Sequence, residues 1–483
     1  MSVFRKLAGE TALYGLSSIL ARVVNFILVP IHTAVFTNRG DYGVIGQLYG
    51  WIAAAVVLYS FRLEAAYFRY TSHDSSSKSY SNGKIFTLVI SLVFSACILI
   101  FAKPIANWLQ IEGFDYLIKY AALIISIDAL CELPFARLRL QKRPIKFVTI
   151  KVISILANVF FNGYFLLLGP KFNLPVPGDK IAAVFIANLI ASVITLLLLN
   201  KEYLAQGFTA NKEEIKKILT YAWPLLIVGL AAVMNDAMTR QFLGWFATGN
   251  AEEKKILMGE YNACVKFGVF IALFVQAFRY AAEPFFFAHM HSKDAKSDYS
   301  KITTYFTQFT MIGFVSIMLY LDFIKNIVVR NPAYLHAIAI VPIVLMANVF
   351  LGIYYNVSNW YRLTDKTRFG MYSALIGVGL TLFFNIVLVP RYGYIGTAWA
   401  MFICYFGMTL VTYLWGQKYY PVNFELKKIF TAILGGLVIY LLNHYLRSQI
   451  QFTLPVLFLV NSLFLIIYLV GFNYPILKIF LKR

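Results

Sequence analysis

Residues Arg137 to Asn162 read RLRLQKRPIKFVTIKVISILANVFFN, and residues Trp360 to Asn385 read WYRLTDKTRFGMYSALIGVGLTLFFN. Laid over each other without a gap at a shift of about 223 positions, Arg139 falls on Arg362, Leu140 on Leu363 and Ile153 on Ile376. Phe160-Phe161-Asn162 falls on Phe383-Phe384-Asn385. Each copy is a polar, basic turn leading into a long apolar segment, and self-similarity at a long period means one structural unit used twice. A second window agrees at a shift of about 219: Asp41-Tyr42 meets Glu260-Tyr261, Ile52 meets Ile271, Val56 meets Val275, Glu64 meets Glu283 and Phe68 meets Phe287. Chance matching of apolar segments is the competing explanation. The matched polar residues Arg139/Arg362, Glu64/Glu283 and Asn162/Asn385 argue against it.

Composition decides the solvent. The 483 residues are 60% hydrophobic and 13% charged, with a mean hydropathy of +0.69, whereas soluble domains carry about 25% charged residues. So much apolar surface cannot be hidden in one core, so lipid surrounds most of the chain. The net charge of +21 fits basic loops on the cytoplasmic side of a membrane better than nucleic-acid binding, for which no motif is present. Cys97, Cys131, Cys264 and Cys404 stand singly in apolar segments, with no metal-ligand spacing, and read as small buried hydrophobes. No Walker motif is present and no cleavable signal opens the chain. No metal or cofactor is expected.

Spanning helices need about 20 mostly apolar residues, which predicts about fourteen. Their approximate bounds are 11–36, 42–69, 84–103, 117–136, 146–169, 180–200, 219–247, 257–288, 302–323, 334–360, 368–390, 395–417, 428–446 and 453–473. With both termini in the cytoplasm, most Lys and Arg fall on cytoplasmic segments, above all RLRLQKRPIK at 137–146 and the stretch 201–217. An even shift of six helices makes the halves parallel repeats, related by an axis along the membrane normal. The expected fold is therefore all-α and polytopic, with two parallel six-helix lobes (1–200 and 219–418) around a central cavity. A cytoplasmic linker at 201–218 joins the lobes, and two C-terminal helices lie within 427–473.

Charges inside spans are costly and mark function by default. The spans carry Arg22 with Asn25, Arg62 and Glu64, Asp128 and Glu132, Lys151, Asp236 and Arg240, and Lys266 with Arg279 and Glu283. Facing one another, they would line a polar cavity. Arg22, Asn25, Arg62, Lys151, Arg240, Lys266 and Arg279 are the candidate substrate-binding residues, since cations attract a phosphate or an acidic sugar. Glu64, Asp128, Glu132, Asp236 and Glu283 are the candidates for coupling to H+ or Na+. Other readings stay open. Asp236–Arg240 and Arg279–Glu283 have the i,i+4 spacing of internally neutralised pairs, Arg62 is placed to snorkel, and Asp128 and Glu132 fit a helix end. Tyr354, Tyr355 and Trp360 are candidates for stacking on sugars. No hydrolase or transferase constellation and no large outer catalytic loop is present, so an enzyme is not expected.

Several features resemble the multidrug/oligosaccharidyl-lipid/polysaccharide exporter superfamily, and within it the polysaccharide-transporter branch of Wzx-type flippases. They are Tyr42-Gly43, its echo Gly259-Glu260-Tyr261, the basic 137–146 loop, and Asn385, Pro390 and Arg391-Tyr392-Gly393-Tyr394-Ile395-Gly396-Thr397-Ala398. The resemblance covers about the whole chain through diffuse motifs. It implies alternating-access translocation of an undecaprenyl-pyrophosphate-linked O-antigen, capsule or exopolysaccharide unit across the bacterial inner membrane. It also implies a monomer that works beside glycan polymerases or ligases. In the related peptidoglycan-precursor (lipid II) flippases, cavity arginines lie on the first and eighth helices. Arg22 matches the first, and Lys266 matches the second in charge only. That branch and a multidrug exporter are the alternatives.

Overall fold

The computed structural model describes residues 26–73, 78–289, 294–364, 366, 368–450 and 453–481, and among these every regular element is a helix. The first half contains α1 (Phe26–Val35), α2 (Arg39–Ser60), α3 (Leu63–His73), α4 (Ser79–Ile100), α5 (Ala102–Trp108), α6 (Asp115–Leu140), α7 (Pro144–Gly163), α8 (Lys180–Leu198), α9 (Asn200–Leu204) and α10 (Lys212–Phe246). There follow α11 (Ala251–Val265), α12 (Val269–His289), α13 (Ala295–Leu319), α14 (Leu321–Val328), α15 (Val341–Val357), α16 (Asn359–Leu363), α17 (Arg368–Tyr419), α18 (Leu426–Gln449) and α19 (Leu454–Leu481). Helix starts carry the expected chemistry. Asn38 Oδ1 accepts from Gly40 N–H, Asp179 from Ile181 and Ala182 N–H, and Asn211 from Glu213 and Glu214 N–H, which satisfies donors that the helix itself leaves open.

Ten helical stretches among the described residues are long and apolar enough to cross a membrane. The helices α6 and α10, of 26 and 35 residues, are long enough too and carry the charges noted above. Most of the expected first span lies outside the described residues. Four expected spans differ in detail. The 42–69 span breaks at Phe61–Arg62, where both residues are left-handed (φ 52° and 54°). The 257–288 span is interrupted by a 3-10 turn at Lys266–Gly268. The two spans at 368–390 and 395–417 join in α17, whose non-helical residue Gly393 sits at φ 53°, ψ −130°, a conformation a side chain would strain.

Polarity is arranged inside out relative to a soluble domain. The buried residues of α4 are Ser79, Tyr80, Ser81, Asn82, Gly83, Lys84, Thr87, Ser91 and Ser95, whereas Leu92 and Ile100 on the same helix are 65% and 74% exposed. On α13, Thr303, Thr304, Thr307 and Thr310 are buried and each donates to the carbonyl one turn back. Small and polar residues inside with large apolar residues outside is how helices associate in lipid, where no hydrophobic effect drives them together. The chain is a multi-pass membrane protein.

Contacts gather the chain into two compact units, 1–263 with 385–394, and 264–384 with 395–483. In the first, α6 is the hub, packed on α2, α3, α4 and α8. In the second, α13 is the hub, packed on α12, α15, α18 and α19. Asn461 ties α19 to this hub by donating to Leu319 O at 2.6 Å and accepting from Asn443 at 3.0 Å.

Candidate functional site

The first unit collects five of the residues expected to carry function. After the left-handed turn at Phe61–Arg62, Arg62 enters a small cleft walled by Ser60, Glu64, Thr87 and Glu132, with room for roughly one water. Its guanidinium lies on the bare backbone of α10, since a Cβ at Gly229 would come within 2.5 Å of Arg62 Nε. Arg62 has no ion pair among the described residues. Glu64, at the start of α3, is ion-paired with Arg139 at the end of α6, and Arg139 also lies 5.1 Å from the ring centre of Phe68. Glu132, about two turns before the end of α6, is within electrostatic reach of Lys151, Glu64, Arg139 and Asp128. Lys151 Nζ sits 4.0 Å over the Phe135 ring, and Asp128 accepts from Ser192 at 2.7 Å. Three acids and three cations thus lie along the second half of α6.

Sequence reasoning did not assign Arg139 to the site, although the repeat had marked it. Two of the polar residues that the repeat windows singled out in the first half, Glu64 and Arg139, are partners of each other.

The other candidates lie elsewhere. Arg240 is buried and its Nε donates to Asn262 Oδ1 at 3.2 Å, between α10 and α11 of the first unit. Lys266 and Arg279 belong to the second unit. Lys266 opens the 3-10 turn, and Arg279 lies 4.9 Å over the Tyr355 ring in a cleft that includes Phe278, Gly352 and Asn359. Trp360 is 1% exposed and donates to Thr412 O at 3.1 Å, and Tyr354 is buried; both are core residues here. Arg22, Asn25 and the side chains of Asp236 and Glu283 lie outside the described residues.

A second feature combines glycines, one ion pair and a cluster of amides. The start of α2 and the second half of α11, matched by the repeat, pack on each other. A side chain on Gly43 would collide with Lys255 O, and one on Gly259 with Arg39 O, so the two backbones touch, as small residues allow in membrane helices. Arg39 Nη1 donates to Glu260 Oε1 at 2.5 Å across this crossing. Deeper in, Gln47 Nε2 donates to Leu109 O at 2.8 Å and to Gln241 Oε1 at 2.7 Å, and Trp51 Nε1 donates to Gln241 Oε1 at 3.0 Å. The tract Tyr42-Gly43 with Gly259-Glu260-Tyr261 is legible in the sequence; the amide cluster behind it has no charge to announce it.

The comparisons with known proteins agree with this architecture. Residues 7–290 match the model of the family described as polysaccharide biosynthesis protein. No curated protein matches the chain. Among solved structures, the chain is similar to the lipid II flippase MurJ in an inward closed conformation, at 15% identity and TM-score 0.76, over 98% of this chain and 100% of that one. It is also similar to an inward-facing multidrug resistance MATE family transporter of the MOP superfamily, at 14% identity and TM-score 0.61, over 82% and 97% of the two chains. At these identities the likeness establishes the fold. The family model spans more than half of the sequence, and the chain belongs to the polysaccharide biosynthesis protein family, with the fold of the MOP exporter superfamily.

Proposed function

We propose that the protein is a flippase that moves an undecaprenyl-pyrophosphate-linked oligosaccharide across the bacterial inner membrane by alternating access. The family match over residues 7–290 carries this reading, and the charged interior of the first unit supports it, because an anionic head group needs cations where water is scarce. In this reading the six-helix lobes 1–200 and 219–418 open alternately, the 201–218 linker and both termini are cytoplasmic, and the protein works as a monomer beside glycan polymerases or ligases. Arg22, Arg62 and Lys266 hold the pyrophosphate, with Lys151, Arg240, Arg279 and Asn25 in support. Glu132, Asp128 and Glu64 are the groups through which H+ or Na+ would couple. Family and fold are those of transporters, and no catalytic step is assigned.

The likeness to a lipid II flippase along almost the whole chain supports a second substrate, the peptidoglycan precursor. Purified protein in liposomes loaded on one leaflet with lipid-linked O-antigen unit or with lipid II tests both. Sugar exposed on the far leaflet by wild type, and not by folded Arg22→Ala and Lys266→Ala proteins, is the expected result for the first substrate. Transport of lipid II alone selects the second. Wild type that moves neither lipid but moves organic cations overturns the proposal in favour of a drug exporter.

A further inference from the structure

The first unit carries a second cationic feature, on its outside. The basic turn 141–143 and the start of α7 meet the end of α8 around a groove of about 570 Å3, within the range of about 300–1,000 Å3 seen for small-molecule sites. Its walls are apolar and include Ile145, Ile150, Ile153 and Leu198. Ile145 is 76% exposed, and the apolar surface continues along α7 through exposed Leu156 and Phe160. Lys142, Arg143 and Lys146 stand at one end. Lys146 is committed to buried Glu202 at 2.6 Å. Lys142 and Arg143 are exposed and have no ion pair among the described residues, and Lys142 takes the left-handed conformation (φ 53°) within the turn.

An apolar trough on the lipid-facing side of a spanning helix, ending in two uncommitted cations at the helix start, matches the two parts of a phospholipid: an acyl chain along the trough and a phosphate at the rim. We propose that this groove, formed by the 141–143 turn, α7 and the end of α8, binds an anionic membrane phospholipid, with Lys142 and Arg143 on its phosphate. Charge complementarity selects this occupant. A zwitterionic lipid offers no net attraction to the two cations, whereas basic clusters at the ends of membrane helices gather anionic lipids. The site is independent of the transport reading, because it concerns the lipid annulus of the first unit and not the transported molecule.

The test counts lipids on the full-length protein. Wild type and the double variant Lys142→Gln/Arg143→Gln are placed in nanodiscs of phosphatidylcholine containing a minor fraction of phosphatidylglycerol, released, and examined by native mass spectrometry. Each cation near an anionic surface contributes about fivefold, so the double variant is expected to hold phosphatidylglycerol about twenty-five-fold more weakly, with phosphatidylcholine binding unchanged. A second variant, Ile153→Ser, probes the trough and should weaken both lipids while leaving the charge preference intact; both variants are checked by thermal unfolding. Equal retention of phosphatidylglycerol by wild type and the double variant overturns the proposal. So does displacement of phosphatidylglycerol by a polyprenyl pyrophosphate at far lower concentration, which would make the groove a docking place for the transported lipid.

Discussion

The two units solve the interior problem in different ways. Around α6 in the first unit, the described interior holds Glu64 with Arg139, Glu132 with Lys151 nearby, and Asp128 on Ser192. Around α13 in the second, the hub is lined by threonines that donate to their own helix, with Asn348 and Asn356 doing the same on α15. Hydroxyls and amides satisfied within one helix cost little and bind that helix to nothing in particular. Charges satisfied between helices fix which helices meet, and are costly when a partner is lost. Among the described residues, ionic chemistry therefore gathers around α6 and self-satisfied neutral packing around α13. The charged hub is the better place to look for substrate or ion handling.

The glycines give the largest test of this contrast. In the first unit Gly259 faces a backbone carbonyl, which cannot move aside, whereas Gly352 in the second faces the Phe306 ring, whose Cζ would lie 2.5 Å from an added Cβ. Gly259→Ala is expected to cost about 3 kcal/mol or more and Gly352→Ala about 1–2 kcal/mol, because a ring can rotate away. Thermal unfolding in detergent measures both, and equal losses would remove the distinction.

Charge comes next. Arg139→Ala leaves Glu64 half-buried without its partner and should destabilise by about 2–3 kcal/mol. The double variant Glu64→Gln/Arg139→Met should lose less than the two single variants together. Thr307→Val on α13 should cost under about 1 kcal/mol, the net worth of one neutral hydrogen bond. If the repeat extends to function, Glu283→Gln and Arg362→Met should lower transport as Glu64→Gln and Arg139→Met do; transport left intact by the second pair would confine the ionic role to the first unit.

The smallest effect belongs to a surface pair. Glu425, just before α18, accepts from Lys428 Nζ at 2.6 Å, and this bond holds its carboxyl below its ordinary value of 4.5. A depressed folded-state value stabilises the protein above the unfolded value and is lost as pH falls through the folded one. Melting temperature should therefore drop slightly below about pH 4.5 in wild type, and Glu425→Gln should flatten that part of the profile. An equally steep acid limb in the variant would assign it to other carboxylates.

Much of this fold was legible because lipid leaves a plain signal. Apolar segments such as 180–200 and 428–446 reappear as α8 and α18 nearly residue for residue. Breaks within spans were not legible, because Phe61 and Arg62 are not turn-forming residues and only packing holds them at positive φ. The charged residues stood out for their cost in a membrane, and the repeat pointed to Arg139 before any partner was visible. Gln47 and Gln241 gave no such warning, since an amide in an apolar stretch is common and its partner, 194 positions away, cannot be found by local spacing.

Lys84 sets a condition on how the protein is made. It is 1% exposed, and its ammonium is satisfied by the carbonyls of Tyr203 at 2.6 Å and Ala205 at 2.7 Å, the first of them 119 residues further along the chain. A ribosome that has just delivered α4 to the membrane has not yet synthesised either carbonyl. Until it does, the lysine must stay at the water-facing surface of the bilayer, and α4 with it must sit shallow or keep sliding. The first unit therefore closes only after residue 205 has emerged, and a nascent chain cut short before that point should be a substrate for membrane quality control rather than a stable fragment.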